Sequence, residues 1–214
     1  MDLAQYKKAW DNQPEEKNKV SAIEIYKMTQ AKSTSIVKWI LIIGVLEFTF
    51  WFLINSFATS HGAFEPYEKL NLMSFLNYST YLHYAVIILF LGLFYRNYSV
   101  ISAIDDTKTL MKKILRTRKT VKFYVYYNLI SVVILTIILN ILIFDKPDAL
   151  NALYNIDSTT LDQGQIITVV IITQIIMLGL MLLILWLFYY LLYGILLKKL
   201  NRNYKELTKL EEVN

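Results

Sequence analysis

The sequence carries an acidic residue inside a long apolar segment, and this residue has the clearest potential for chemistry. Glu47 lies ten residues, or about 15 Å along a helix, into an apolar run at 37–57. At such a depth in a bilayer an ionised carboxylate costs on the order of a few kcal/mol. Acids in that position pair with other polar groups or mark a path for protons or ions. Glu47 is therefore the first candidate for a functional residue.

Two other polar residues are predicted to lie at a similar depth. Pairing the first apolar run antiparallel to the second, at 75–95, places His83 within about 3 Å of the depth of Glu47. Gln174 lies nine residues into a fourth apolar run that begins at 165. The spacing thus predicts one polar layer near the bilayer midplane, with a side chain from each of three segments.

Two kinds of chemistry fit such a layer. In the first, a protonated Glu47 hydrogen-bonds to His83 or Gln174 and holds the helices together, at about 0.6 to 2 kcal/mol per bond. In the second, the layer lines a path for protons or a ligand. Polar residues of the third apolar run could extend that path: Asn128, Ser131 and Asn140.

The composition indicates that a bilayer surrounds the elements that carry these residues. Hydrophobic residues make up 56% of the chain and charged residues 18%, with a mean hydropathy of +0.40. These values are typical of a membrane protein. We expect an all-α polytopic membrane protein, with four transmembrane helices in an antiparallel bundle and short cytoplasmic amphipathic helices. The predicted spans are 37–57, 75–95, 123–144 and 165–190.

The distribution of basic residues predicts the orientation of these spans. All of the 22 Lys and Arg residues except Lys69 and Lys146 lie before or at the start of the first span, between the second and third, or after the fourth. Short loops rich in Lys and Arg remain in the cytoplasm. We therefore expect a multi-pass protein of the inner (plasma) membrane with both termini in the cytoplasm. Aromatic residues such as Tyr124, Tyr189 and Tyr193 are then expected at the inner interface.

Three segments are predicted on the cytoplasmic side: N-terminal helices at 1–36, a basic loop at 96–122 and a C-terminal helix at 198–214. The first of these places Tyr6 and Trp10 on one helical face. They could pack against the chain's own helices or lipid, or could contact a partner protein.

The basic loop has the pattern of an amphipathic helix. Apolar residues recur near helical spacing: Ile101, Ile104, Met111 and Leu115. Basic residues surround them: Lys112, Lys113, Arg116, Arg118, Lys119 and Lys122. A helix that joins two spans is held at the membrane, so these residues are candidate contacts for anionic lipid headgroups rather than for nucleic acid. In the C-terminal segment, a stripe of Leu200, Tyr204, Leu207 and Leu210 is expected to pack against the other inner helices.

The N-terminal region carries a resemblance to known proteins. It reads Tyr6-Lys-Lys-Ala-Trp10-Asp-Asn-Gln13, then Ser21-Ala-Ile-Glu24-Ile, and then Lys32-Ser33 before the first span. This pattern, with the four-span layout, resembles a group of uncharacterised bacterial four-span membrane proteins. The resemblance implies no activity, although some members of such groups carry names of the carotenoid-cleaving oxygenase kind.

The residue types argue against enzymatic chemistry. A carotenoid-cleaving oxygenase needs four His on iron, whereas this chain has only His61 and His83, in an outer loop and in a span. The chain contains no Cys, and no phosphate-binding glycine loop or Gly-x-Ser-x-Gly motif occurs. We therefore expect no catalytic residues, no metal site and no cofactor.

Two functional interpretations remain. The cytoplasmic segments are long and helical while the outer loops are short, which favours a non-enzymatic regulatory or interaction protein that presents cytoplasmic helices to a cytoplasmic or membrane protein. The alternative is a small transporter, or a membrane subunit of a transport complex, that uses the polar layer around Glu47.

Overall fold

Helices account for nearly all of the chain that the structure describes. The structure is a computed structural model, and it describes residues 22–103, 106–146 and 163–213. Within these residues there is no strand, and the predicted all-α fold is confirmed. The helices are α1 (Ala22–Ser60), α2 (Glu65–Lys69), α3 (Met73–Ser102), α4 (Thr107–Phe144), α5 (Gln163–Tyr189), a π-helical segment (Tyr190–Gly194) and α6 (Ile195–Val213).

Four helical rods are long and apolar enough to cross a membrane. They are α1, α3, α4, and the continuous rod of α5, the π-helical segment and α6, which we call the fourth rod. Each continues without a break from its apolar part into a polar part. The helix α1 begins at Ala22, within the predicted N-terminal segment, and runs through the first predicted span, while the predicted helical face with Tyr6 and Trp10 lies outside the described residues.

The basic loop is not a separate connecting helix. Instead, α3 continues to Ser102 and α4 begins at Thr107, so most of the basic segment is the first part of α4. The side chain of Asp106 caps α4 by accepting a hydrogen bond from the Thr109 amide (2.9 Å). This bond stabilises the ionised carboxylate and lowers the pKa of Asp106. The cap fixes the start of α4.

The four rods form a closed ring in which α1 contacts α3, α3 contacts α4, α4 contacts the fourth rod, and the fourth rod contacts α1. Neighbouring rods run antiparallel. Gly44 allows α1 and α3 to approach closely, because a Cβ at this position would lie 2.9 Å from Cδ2 of Leu91. We call the end formed by residues 22–36, 96–122 and 198–213 the basic end, and the other end the opposite end.

A fully buried apolar cluster lies at the basic end. One cluster there consists of residues with no exposed surface: Val37, Ile101, Leu110, Ile114, Leu200 and Leu207. Tyr204 and Leu210 pack against it, which confirms the predicted packing of the C-terminal stripe. On α4 the fully buried residues are Leu110 and Ile114, while Met111 of the predicted apolar pattern packs against the same cluster and Leu115 is exposed. Sequence spacing alone did not distinguish two adjacent apolar faces.

The opposite end is packed differently. Leu70, Leu72 and Ile143 form a small cluster there, and the Lys146 ammonium donates a hydrogen bond to the Leu70 carbonyl. These contacts join α4 to the connection between α1 and α3. Among the described residues, α5 is largely exposed at this end, although it is the most apolar helix.

Candidate functional site

Glu47 is buried between α1 and the fourth rod, with 5% of its surface exposed. The Tyr189 hydroxyl donates a hydrogen bond to Oε1 of Glu47 (2.7 Å), and the Tyr193 hydroxyl donates one to Oε2 (2.8 Å). Both carboxyl oxygens therefore accept from the same helical rod. We call Glu47, Tyr189 and Tyr193 the carboxyl clamp.

Aromatic rings enclose the carboxyl clamp. Tyr124 of α4 packs edge-on against Tyr189 (centroids 6.3 Å apart) and Tyr193 (5.8 Å). It also packs edge-on against Phe90 and Phe94 of α3 at 5.3 and 5.4 Å. The Tyr124 ring has no exposed surface, and its hydroxyl has no hydrogen-bond partner among the described residues. The clamp thus lies inside a continuous apolar and aromatic core.

The π-helical segment coincides with the carboxyl clamp. Tyr189 precedes the segment directly and Tyr193 lies within it. A π-helical turn inserts one extra residue relative to an α-helix and often occurs at functional positions. Tyr189 and Tyr193 are four residues apart, so they lie on one helical face and both reach the same carboxyl group, and α6 continues from the segment to the buried Leu200. The local helix geometry therefore positions both donors.

His83 does not contact Glu47. Its ring stacks on that of Tyr127 from α4, with centroids 5.7 Å apart and an interplanar angle of 16°. The Tyr127 hydroxyl lies 3.4 Å from Nδ1 of His83, within hydrogen-bond distance. His83 thus belongs to the contact between α3 and α4.

Gln174 lies far from Glu47 along the fourth rod. It is 15 residues, or about 22 Å, from Tyr189, which is in contact with Glu47. Gln174 lines a cavity of about 850 Å³ between α4 and α5 at the opposite end, together with Thr136 and Asn140. The cavity lining is otherwise mainly apolar.

The predicted layer of Glu47, His83 and Gln174 is therefore not present as one site. The depth of Gln174 was inferred by assuming that the fourth rod starts at the same level as the end of the first span. In the structure the fourth rod is shifted along its axis, so that Tyr189 and Tyr193 reach the level of Glu47. The three polar residues predicted to extend the layer bond instead to carbonyls one turn back on α4: Asn128 to Tyr124, Ser131 to Tyr127 and Asn140 to Thr136.

The basic residues of α4 lie around the outside of the basic end. Lys112, Arg116, Lys119 and Lys122 are exposed, and Lys113 and Arg118 are half-buried. The inward face of the same helix consists of Leu110, Ile114, Thr117 and Val121, all without exposed surface. The arrangement leaves most of this positive charge available to external anions. The Arg118 Nε atom is an exception, since it is buried without a hydrogen-bond partner among the described residues.

Polar contacts also join helices at the basic end. The amide of Asn203 in α6 donates to the Ser33 hydroxyl in α1 (3.0 Å), and both residues are buried. Asn97 of α3 lies 3.5 Å from the Thr120 hydroxyl of α4. On the surface, Lys108 and Glu211 form an ion pair (3.1 Å) between α4 and α6. These contacts add directional constraints to the apolar packing.

The residues that sequence reasoning did not connect to Glu47 are Tyr189, Tyr193 and Tyr124. All three were predicted at the inner interface because they lie at the predicted cytoplasmic ends of apolar runs. The separation of four residues between Tyr189 and Tyr193 indicates one helical face, and this signal could have identified them as a pair. Within the described residues, no three His, Asp or Glu side chains are grouped so as to hold a metal ion.

The four long apolar rods and their buried polar contacts define an all-α membrane protein. Over residues 23–212 the chain matches the family described as Domain of unknown function (DUF8845), and it belongs to that family. No curated protein and no solved structure matches the chain.

Proposed function

We propose that this protein is a non-enzymatic, four-span regulatory or interaction protein of the inner membrane, whose basic end lies in the cytoplasm and presents its helices to a partner protein. The observation that carries the proposal is the architecture of the basic end. All four rods extend into it, and they enclose a core of side chains without exposed surface. Such a surface is already ordered before it meets a partner, which lowers the entropic cost of binding.

The orientation in this proposal follows from charge. The basic end carries the exposed Lys and Arg residues of α1, α4 and α6, whereas Glu65 and Glu68 lie at the opposite end. Positively charged segments remain in the cytoplasm, where they also face anionic lipid headgroups. Lipid is thus a second partner of the basic end, alongside a protein.

The geometry of Glu47 supports a structural role for this residue. Both of its carboxyl oxygens accept tyrosine hydroxyls, and neither of the cavities at the two ends of the bundle includes Glu47 in its lining. A path for protons or solute needs polar groups in sequence along the bundle. The separation of Glu47, His83 and Gln174 gives the transport alternative less support.

Photo-crosslinking in cells tests the interaction proposal. A photoreactive amino acid is placed at the exposed Lys112 or Lys119 of the basic end, with Glu68 and Lys69 of the opposite end as matched controls. We expect a discrete protein adduct from the basic-end positions and none from the controls. Adducts that arise only at the control positions would contradict the proposal.

The transport alternative is tested with the Glu47→Gln variant in liposomes. We expect the wild-type protein to move neither protons nor solute, and the variant to assemble less stably. Proton or solute movement by the lone purified protein, lost in Glu47→Gln while assembly is normal, would favour transport and overturn the interaction proposal.

A further inference from the structure

A polar groove separates α1 from α3 at the basic end, away from the exposed basic residues of α4. It has a volume of about 500 Å³. Its lining includes two cationic residues, Lys27 and Lys38, and four hydroxyl residues: Thr34, Ser35, Tyr98 and Ser102. No acidic residue is among the residues that line it. We propose that this groove binds the phosphate-bearing headgroup of an anionic phospholipid.

The spacing along α1 forms one side of the groove. Lys27, Ala31, Thr34 and Lys38 are separated by four, three and four residues, so they lie on one helical face. The lysines are about 16 Å apart along the axis, and their flexible four-carbon stems allow both ammonium groups to reach towards the middle. The small Ala31 and Ser35 leave room there. The groove therefore has a small polar floor between two positive ends.

Three of the four hydroxyl groups of the groove are available to a ligand, whereas the Ser102 hydroxyl donates to the Ser99 carbonyl (2.8 Å). The side chains of Thr34, Ser35 and Tyr98 make no hydrogen bond within the part of the chain that the structure describes. A phosphate offers several acceptor oxygens to such donors, and ammonium groups add charge-assisted bonds. Together these side chains match a phosphate rather than a neutral or a cationic group.

The position of the groove along the membrane normal favours a lipid over a soluble phosphate. Lys38 lies at the start of the first apolar span, and the adjacent Trp39 is exposed on the outside of the bundle. Tryptophan at the end of a span is typical of the headgroup level. The groove thus begins where the phosphates of the leaflet at the basic end lie. This inference requires the bundle to span a membrane, but it does not depend on a protein partner.

Native mass spectrometry of the detergent-purified full-length chain tests the site. The probes are phosphatidylglycerol, phosphatidylcholine and inorganic phosphate. The variant Lys27→Ala/Lys38→Ala removes both charges of the groove. Lys32→Ala is the matched control, because Lys32 is an exposed lysine on another face of α1. Ser35→Leu fills the groove and leaves both charges in place.

We expect the wild-type chain to retain one phosphatidylglycerol more tightly than phosphatidylcholine. The double variant and Ser35→Leu should each weaken that binding by about tenfold, whereas Lys32→Ala should leave it within about twofold. Equal retention of the two lipids would overturn the proposal, as would equal weakening by Lys32→Ala. Normal binding by Ser35→Leu would indicate surface charge alone and would also overturn it. Displacement of the lipid by excess inorganic phosphate would assign the groove to a soluble anion instead.

Discussion

The basic end and the opposite end of the bundle are held together by different means. At the basic end, all four rods meet around side chains without exposed surface, and a buried hydrogen bond joins Ser33 to Asn203. At the opposite end, a small cluster joins α4 to the connection between α1 and α3, and α5 contacts mainly α4. The carboxyl clamp lies between these regions. There Glu47 of α1 accepts hydrogen bonds from Tyr189 and Tyr193 of the fourth rod.

The difference shows that hydropathy does not measure packing in a membrane protein. The helix α5 is more apolar than α6, yet α6 has buried residues along its length and α5 is mostly exposed. Lipid tails are as apolar as the side chains of α5, so α5 gains no hydrophobic free energy by burying these side chains against protein. The apolar side chains of α6 lie beyond the membrane, so they are shielded from water only where they pack against the other helices.

Truncation of the basic-end core should have the largest effect. Leu207→Ala removes a side chain without exposed surface and should lower the free energy of unfolding by about 2 to 5 kcal/mol, because it leaves a cavity. Leu183→Ala in α5 is the control, since Leu183 is 55% exposed. Thermal unfolding in mild detergent, followed by circular dichroism, measures both variants. A larger loss of unfolding free energy in Leu183→Ala than in Leu207→Ala would contradict the stronger packing at the basic end.

Loss of the buried polar contact at the basic end should have the next largest effect. Asn203→Ala leaves the Ser33 hydroxyl buried without its donor and should cost about 1 to 3 kcal/mol. Ser33→Ala/Asn203→Ala removes both groups and should recover part of that loss. The exposed Lys205→Ala is the control. Additive effects of the Ser33 and Asn203 substitutions in a double-mutant cycle would argue against the bond.

The carboxyl clamp should contribute less per bond. Tyr189→Phe and Tyr193→Phe each remove one hydroxyl donor to Glu47 and should lower stability by about 0.6 to 2 kcal/mol. Tyr190→Phe is a matched control in the same helical segment, because Tyr190 is 58% exposed. Unfolding in mixed micelles measures all three. If Tyr190→Phe lowers stability as much as the other two variants do, the lost hydrogen bonds to Glu47 do not explain the loss of stability.

The cap of α4 should give a small effect that depends on pH. Because the pKa of Asp106 is lower in the folded state, the cap contributes stability above the ordinary pKa of Asp, and that contribution is lost as pH falls through the lowered value. Asp106→Ala should therefore reduce the Tm slightly at neutral pH, and the difference from wild type should shrink in acid. A Tm difference that is unchanged between neutral and acidic pH would exclude the ionised cap as its source.

Much of the fold was predictable because it depends on periodicity and length. Apolar runs of more than 20 residues require helices in a bilayer, and the helix from Ala22 and the stripe through Leu200 and Leu207 follow from helical spacing. The partners of Glu47 were not predictable in this way. The four-residue spacing of Tyr189 and Tyr193 places them on one helical face, but their contact with Glu47 depends on the axial shift of the fourth rod, which has no signal in hydropathy.

We infer from these contacts that α1 and the fourth rod keep one separation from the basic end to the carboxyl clamp, and that their separation varies more beyond the clamp. Because the chain has no Cys, spin labels can be placed at two introduced cysteines in nanodiscs. Electron–electron distances are measured between 32 and 205 at the basic end, and between 56 and 168 at the opposite end. Both pairs join exposed positions of α1 and the fourth rod. We predict a single narrow distribution for the first pair and a broader one for the second. A distribution for the first pair as broad as that for the second would contradict the account.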